Sequence, residues 1–264
     1  TFGKGDDKSL LVDIRRSNND VRDWKIEKVD DNTFTGYQDG DGKIYFYAKT
    51  NYKIGQVEMV KDDKHEVAVL RFIDSKGVEP LEMLNKSFAQ VAEEADAAWE
   101  ALLSKIQVAG GTEREKRLFY STFFHAFKWP ALRSDVNHEY TDVRGEVVNN
   151  GFHYYTDPSF WDDYRNKLVL IGMISPDVTT DIIRSIIDKG EKRDGYMPTF
   201  FHGDHASTFI SGSWLRGLHD FDLERAYKLI LKNATVPGKG GRRYLDEYME
   251  RGWIAEKDTV NVPT

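Results

Sequence analysis

The sequence contains no cysteine. Disulfides and thiolate metal sites are thereby excluded, while the compartment stays open, because exported bacterial enzymes often lack cysteine too. It also lacks an excess of positive charge. Acidic residues outnumber basic ones 44 to 37, for a net charge of −7, so no broad cationic surface is available to follow a phosphate backbone. Long apolar runs are missing. The longest, Leu168 to Ile174, falls far short of the roughly 20 residues a membrane-spanning helix needs. The opening residues Thr1-Phe2-Gly3-Lys4-Gly5-Asp6-Asp7 show neither the basic start nor the apolar stretch of a signal peptide. Either a signal was removed or the chain begins inside a larger protein. Neither Gly110-Gly111 nor Gly238-Lys239-Gly240-Gly241 has a phosphate-binding spacing, and no Gly-x-Ser-x-Gly elbow or His-Glu-x-x-His helix occurs. Nucleotide chemistry and serine hydrolysis both lose ground.

What is present is enough apolar material for a real core: 40% of 264 residues, sufficient for one large domain or two modest ones. Short segments rich in β-branched and aromatic residues run through Leu10–Ile14, Trp24–Val29, Thr33–Tyr37, Ile44–Ala48, Ile54–Val60 and Val67–Ile73. Turn residues separate them at Ser17-Asn18-Asn19-Asp20, Asp30-Asp31-Asn32 and Asp39-Gly40-Asp41-Gly42. Regular short strands predict a β-sandwich portion over residues 1–84. The charged stretch Lys61-Asp62-Asp63-Lys64-His65 reads as a solvated hairpin loop within it.

From Ser87 the apolar period changes from two to between three and four. Val91, Ala92, Ala95, Ala98, Trp99, Leu102, Leu103 and Ile106 mark one amphipathic helix, a linker within residues 85–111 that ends at Gly110-Gly111. Thr112 and Glu115 form a capping box, which starts a helix running to Trp129. A polar loop follows over Ser134–Asn150. Asp157-Pro158 and Ser175-Pro176 each place an N-cap residue before a proline, and Gly190, Gly217 and Gly252 stand where helices should end. Helices are expected near 159–174, 176–189, 205–216, 222–234 and 241–251. Short connections make these antiparallel neighbours, and no short repeat period recurs among them. The fold class expected is therefore a β-sandwich region followed by an all-α region over 112–264, forming an incomplete part of an (α/α)6 toroid.

Two clusters carry chemistry. In Phe160-Trp161-Asp162-Asp163-Tyr164-Arg165, Asp162 and Arg165 lie three apart on one helix face, where they can meet each other or a polyhydroxylated ligand. Trp161 adds a flat face for a sugar ring; the alternative is an acidic helix start with Trp161 in the core. In Phe201-His202-Gly203-Asp204-His205, two imidazoles flank a carboxylate that can transfer a proton or join a metal site, or can simply cap the next helix together with Ser207. His125, amid Phe123-Phe124-His125-Ala126-Phe127, reads by itself as a hydrogen-bonded core histidine. Aromatic residues make up 13% of the chain, which suits both sugar sites and the layers of a helical toroid.

Several of these segments, in this order, resemble glycoside hydrolase family 92, the calcium-dependent exo-acting alpha-mannosidases. The run Phe119-Tyr120-Ser121-Thr122-Phe123-Phe124-His125 through Trp129-Pro130 and Ser134-Asp135-Val136 is similar to the opening of that family's helical domain. Ser159 to Arg165 resembles its Trp-Asp-x-Tyr-Arg segment. Met197-Pro198 to His205, Leu215-Arg216-Gly217 with Asp220-Phe221-Asp222, and Tyr248 to Trp253 fit as well. The likeness covers Ser87 to Ala255 well and the strand region in outline.

The resemblance implies a β-sandwich packed on an (α/α)6 toroid, release of terminal mannose with inversion, a calcium ion at the sugar, and a secreted or periplasmic enzyme. Trp161, Asp162 and Arg165 would then line the terminal mannose pocket, with His125 and His205 near it. Where many members carry a Glu in an Asn-Glu-Thr-like segment, this chain has Phe201 to His205, which leaves Asp204 as the nearest carboxyl for the general acid. The base and most calcium ligands would lie outside this chain, in a further segment or a second chain of the same enzyme. Mannose-containing glycans would be the ligands. The alternative is a non-catalytic relative that binds glycans or serves as a structural module.

Overall fold

Apolar alternation in the first part of the chain produces six antiparallel strands in the computed structural model: β1 (Ser9–Val12), β2 (Asp23–Lys28), β3 (Thr33–Asp39), β4 (Lys43–Lys49), β5 (Lys53–Lys61) and β6 (Glu66–Ile73). The structure describes residues 8–14, 20–40, 43–50, 52–61, 66–73, 88–135, 137–198, 203–238 and 243–255. The expected turns at Ser17-Asn18-Asn19 and Asp41-Gly42, the loop Asp62–His65, Val136, Phe201-His202 and Lys239–Gly241 lie outside these.

Two three-stranded sheets form, ordered β1-β6-β5 and β2-β3-β4. Their inward residues share one core: Ile26 and Phe34 from the second sheet meet Ile54, Ala68, Leu70 and Phe72 from the first. Gly36, in the middle strand β3, is there for space. A Cβ at that position would collide with the Lys25 carbonyl and the Phe46 ring.

Helices take over after that. They are α1 (Phe88–Leu103), α2 (Glu113–Ala126), α3 (Phe160–Asp163), α4 (Lys167–Ile174), α5 (Pro176–Lys192), α6 (His205–Leu215), α7 (Leu223–Thr235) and α8 (Leu245–Arg251). The chain divides into two units, Thr1–Trp99 and Glu100–Thr264. Strands followed by helices is thus the observed order. The capping box at α2 is present as expected: Thr112 Oγ1 accepts from the Glu115 N–H, and the Glu115 carboxylate accepts from the Thr112 N–H at 2.7 Å. Among the described residues no helix is long and apolar enough to cross a membrane.

α5 is the axis of the helical core. Its Ile182, Ile183, Ile186 and Ile187 pack with Leu168 and Ile171 of α4, Phe209 and Ile210 of α6, and Ala226 and Leu229 of α7. Each fully buried side chain of this size is worth about 1.5–3 kcal/mol of transfer free energy. Gly190 does not end this helix, which continues to Lys192, and the left-handed residues follow at Asp194 and Gly195 instead. What Gly190 supplies is a close approach: a Cβ there would sit 3.0 Å from a methyl of Leu229.

Three further expectations are corrected. The helix expected over 159–174 breaks between α3 and α4, because the Asn166 side chain accepts from the Lys167 N–H and starts a new helix. Asp157-Pro158 caps nothing; Asp157 is drawn instead to Lys189 at 2.7 Å and Arg193 at 3.2 Å. The segment taken as a polar loop holds a small hairpin, β7 (Glu139–Thr141) paired with β8 (Val147–Asn149).

Asp142 builds that hairpin's turn. One carboxylate oxygen accepts from the Arg144 N–H at 2.8 Å and the Glu146 N–H at 3.0 Å, and the other meets Lys192 at 3.0 Å. Burial pushes the Asp142 carboxyl up, but Lys192 and the two N–H groups more than reverse this and hold it below its ordinary value of 3.8. A depressed carboxyl contributes stability that is full above the unfolded value and is lost as pH falls through the lower folded one. Urea midpoints of the wild type should therefore decline on acidification below the ordinary aspartate range. In Asp142→Asn that part of the decline should be absent, and equal slopes for the two proteins would refute the assignment.

Candidate functional site

The Trp161–Arg165 segment and the start of α6 meet through aromatic side chains. Phe160 lies against Phe209 with ring centroids 6.0 Å apart, which fastens α3 to α6 in the core. One turn on, the Tyr164 ring lies 4.8 Å from His205 and carries the Arg165 guanidinium at 5.3 Å. A cation over an aromatic face is attractive by about 0.5–1 kcal/mol at an exposed site. Tyr164 thus touches both Arg165 and His205 and links the end of α3 to the start of α6.

The charges of the helical unit are unevenly committed. Asp163 is buried and ion-paired with Lys167 at 2.6 Å. Asp157, Asp181, Asp188 and Glu191 are likewise paired with Lys or Arg. Asp162 is exposed, and among the described residues its carboxylate receives only the Ser159 hydroxyl, at 3.3 Å. Arg165 is exposed and forms no ion pair among the described residues, so the two do not pair with each other. Trp161 is 50% exposed, which removes the reading of it as a core residue. A carboxylate, a guanidinium and an indole with open surface therefore project from one short stretch.

Asp204 occupies the N-cap position of α6, yet its side chain makes no cap bond. Its backbone carbonyl accepts from the Ser207 hydroxyl at 2.7 Å, and its buried carboxylate accepts from Asn233 Nδ2 at 3.3 Å. Asn233, fully buried on α7, also accepts from the Met197 N–H at 3.0 Å. It joins the loop before α6 to the carboxylate that begins it. Sequence reasoning missed Asn233, but the signal was there: it continues the apolar stripe Ala226, Leu229, Ile230, where a polar residue must have an internal partner.

His125 stands apart from this grouping. It is exposed on α2, against Phe124 at 5.5 Å, while Phe123 and Phe127 on the same helix face inward in edge-to-face contact. None of its described contacts reaches α3 or α6, and it is not the core histidine its surroundings suggested.

Among the described residues no three His, Asp or Glu side chains come together as a metal site. The carboxylates that would suit calcium are occupied by cations: Asp142 and Asp188 share Lys192, and Asp157 holds Lys189. The described residues of this chain do not fit a calcium site by themselves.

Strands leading into this succession of helices are the architecture of solved glycoside hydrolases. A family GH92 alpha-mannosidase from Bacteroides thetaiotaomicron superimposes with a TM-score of 0.79 at 21% identity, over 92% of this chain and 39% of that one. Its complex with mannoimidazole gives 0.78 at 21% identity, over 92% and 38%. A GH92 inverting mannosidase from strain VPI-5482 of the same species gives 0.77 at 18%, over 98% and 42%. The chain thus spans about two fifths of the length of these relatives. No curated protein matches it. Residues 79–263 match the model of the glycosyl hydrolase family 92 catalytic domain, and the chain belongs to that family.

Proposed function

We propose that this chain is part of an exo-acting alpha-mannosidase that removes terminal mannose from glycans with calcium and with inversion, in an enzyme exported to the bacterial cell envelope. The observation that carries the reading is the exposed carboxylate of Asp162 and guanidinium of Arg165, which do not pair with each other, beside the half-exposed Trp161. Trp161 would stack on the sugar ring, while Asp162 and Arg165 would bond its hydroxyls as acceptor and donor. His205, already held against Tyr164, and His125 would stand near the sugar. Asp204 is our candidate for the general acid. Asn233 holds its carboxylate at the start of α6, the position from which a general acid would reach the glycosidic oxygen.

Inversion needs a second carboxylate about 6.5–9.5 Å from the acid, on the other face of the sugar, to activate water. We place that base and the calcium ligands in the remainder of the enzyme, in accord with the two fifths of the relatives' length that this chain spans. Calcium would supply charge to bind and distort the sugar there.

The test is hydrolysis of an aryl alpha-mannoside by the full-length enzyme. Chelation should reduce turnover by about a hundredfold or more, since a bound metal contributes several kcal/mol to such a step, and added calcium should restore it. Residues 1–264 alone should be inactive. Turnover by the full enzyme that is indifferent to chelator, or enzyme-like turnover by residues 1–264, would overturn the respective parts of the reading.

A further inference from the structure

The helical unit contains a cleft of about 890 Å³ whose walls include none of Trp161, Asp162, Arg165, Asp204 or His205. Its volume lies near the upper end of the roughly 300–1,000 Å³ typical of small-molecule sites. Phe152 enters from the segment after β8 and Phe221 from the turn before α7, with α5 between them in sequence contributing Arg184, Asp188 and Lys192.

The charges in this cleft decide what it can hold. Three cations and three carboxylates line it, and every cation is already bonded within the protein. Arg184 meets Asp220 at 3.1 Å, Lys192 meets Asp188 at 2.8 Å, and Arg225 binds Glu191 through two nitrogens, one at 2.7 Å. An anionic ligand would have to displace one of these carboxylates, and a cationic ligand would have to displace a guanidinium or an ammonium. A neutral ligand rich in hydroxyls meets no such obstacle. Carboxylate oxygens keep spare acceptor sites after one bond, guanidinium groups keep spare donors, and the half-buried Phe152 ring offers an apolar surface.

From this arrangement we infer that the cleft binds a neutral oligosaccharide segment, a sugar ring against Phe152 and its hydroxyls on the Arg184–Asp220 pair. The inference rests on the glycosidase reading only for the choice of probe. Trp214 provides a built-in reporter, since its ring lies 4.2 Å from His219 and 5.7 Å from Phe221, both of which line the cleft.

The test is titration calorimetry and tryptophan fluorescence with an alpha-linked mannotriose and, as an anionic control, a trigalacturonate. The wild type, Phe152→Ala, Asp220→Ala and Asp162→Ala are compared. Asp220 is 88% exposed, so its variant should fold even if Phe152→Ala does not. The expected result is a mannotriose-dependent change in Trp214 fluorescence that each cleft variant weakens by about tenfold, equivalent to about 1.4 kcal/mol. Trigalacturonate should bind more weakly. Absence of mannotriose binding, equal binding by Asp220→Ala and the wild type, or preference for trigalacturonate would overturn the inference. Binding lost in Asp162→Ala but kept in the cleft variants would sink the cleft and leave the α3 reading standing. Cleft-dependent binding in a full-length enzyme that releases no mannose would do the reverse.

Discussion

Asp162→Ala in the full-length enzyme should lower kcat/KM on an alpha-mannoside by about a hundredfold or more while leaving the thermal midpoint nearly unchanged. Hydrogen bonds from a charged group to sugar hydroxyls are worth about 1.5–3 kcal/mol, and bonds that strengthen in the transition state add to that. A hundredfold corresponds to two units of about 1.4 kcal/mol, which lies within that range. The stability should hold because Asp162 is exposed and its described contact is the single Ser159 hydroxyl at 3.3 Å. Asp163→Ala makes the contrasting control. Its carboxylate is buried and holds Lys167 at 2.6 Å, so its loss should cost stability first. Equal activity in Asp162→Ala and the wild type would remove Asp162 from the sugar site.

The contrast between these adjacent aspartates shows where sequence reading ends. Spacing placed both on the first turn of a helix and put Asp162 on a face with Arg165. It could not show that Asp163 turns inward to a lysine four residues on while Asp162 stays uncommitted, because that depends on how α3 is fastened to α6 through Phe160 and Phe209. The same limit applies to Asp204. Its position before a helix suggested a cap, but the bond that forms comes from Asn233, 29 residues away in the chain. A local motif competes with every distant partner the fold brings near.

The strands were the most legible part, since six apolar segments with turn residues between them match β1 to β6 to within a few residues. β7 and β8 were not, because three-residue strands are too short to display a period of two. Their pairing depends on Asp142 and on the Tyr140 ring stacked on Tyr154 at 3.7 Å, contacts that no local pattern announces. Gly190 was misread for a related reason. A glycine that lets α7 approach looks, in sequence, the same as one that ends a helix.

Lys189 is where a single substitution should cost the fold most. Its side chain is only 4% exposed, and its ammonium donates to the Tyr155 carbonyl at 2.6 Å and to Asp157 at 2.7 Å while lying over the Tyr154 ring at 5.1 Å. These contacts tie α5 to the segment that runs directly into α3, so they also set the approach to Trp161 and Asp162. Burial lowers the Lys189 pKa from its ordinary 10.5, and Asp157 opposes that without cancelling it. The unfolded chain then binds more protons than the folded one between the lowered value and 10.5. Stability from this group accordingly rises with pH in that window. Lys189→Met leaves the Tyr155 carbonyl without its donor and Asp157 with Arg193 alone, at an expected cost of about 3 kcal/mol at neutral pH. Asp157→Asn should behave differently, because it strands a buried ammonium and lowers its pKa further. Its deficit should be large at neutral pH and should shrink as pH rises toward 10, whereas the deficit of Lys189→Met should not follow that course. Denaturant unfolding of both variants at a series of pH values separates these outcomes. Parallel pH profiles for Asp157→Asn and the wild type would show that Asp157 does not govern the charge on Lys189.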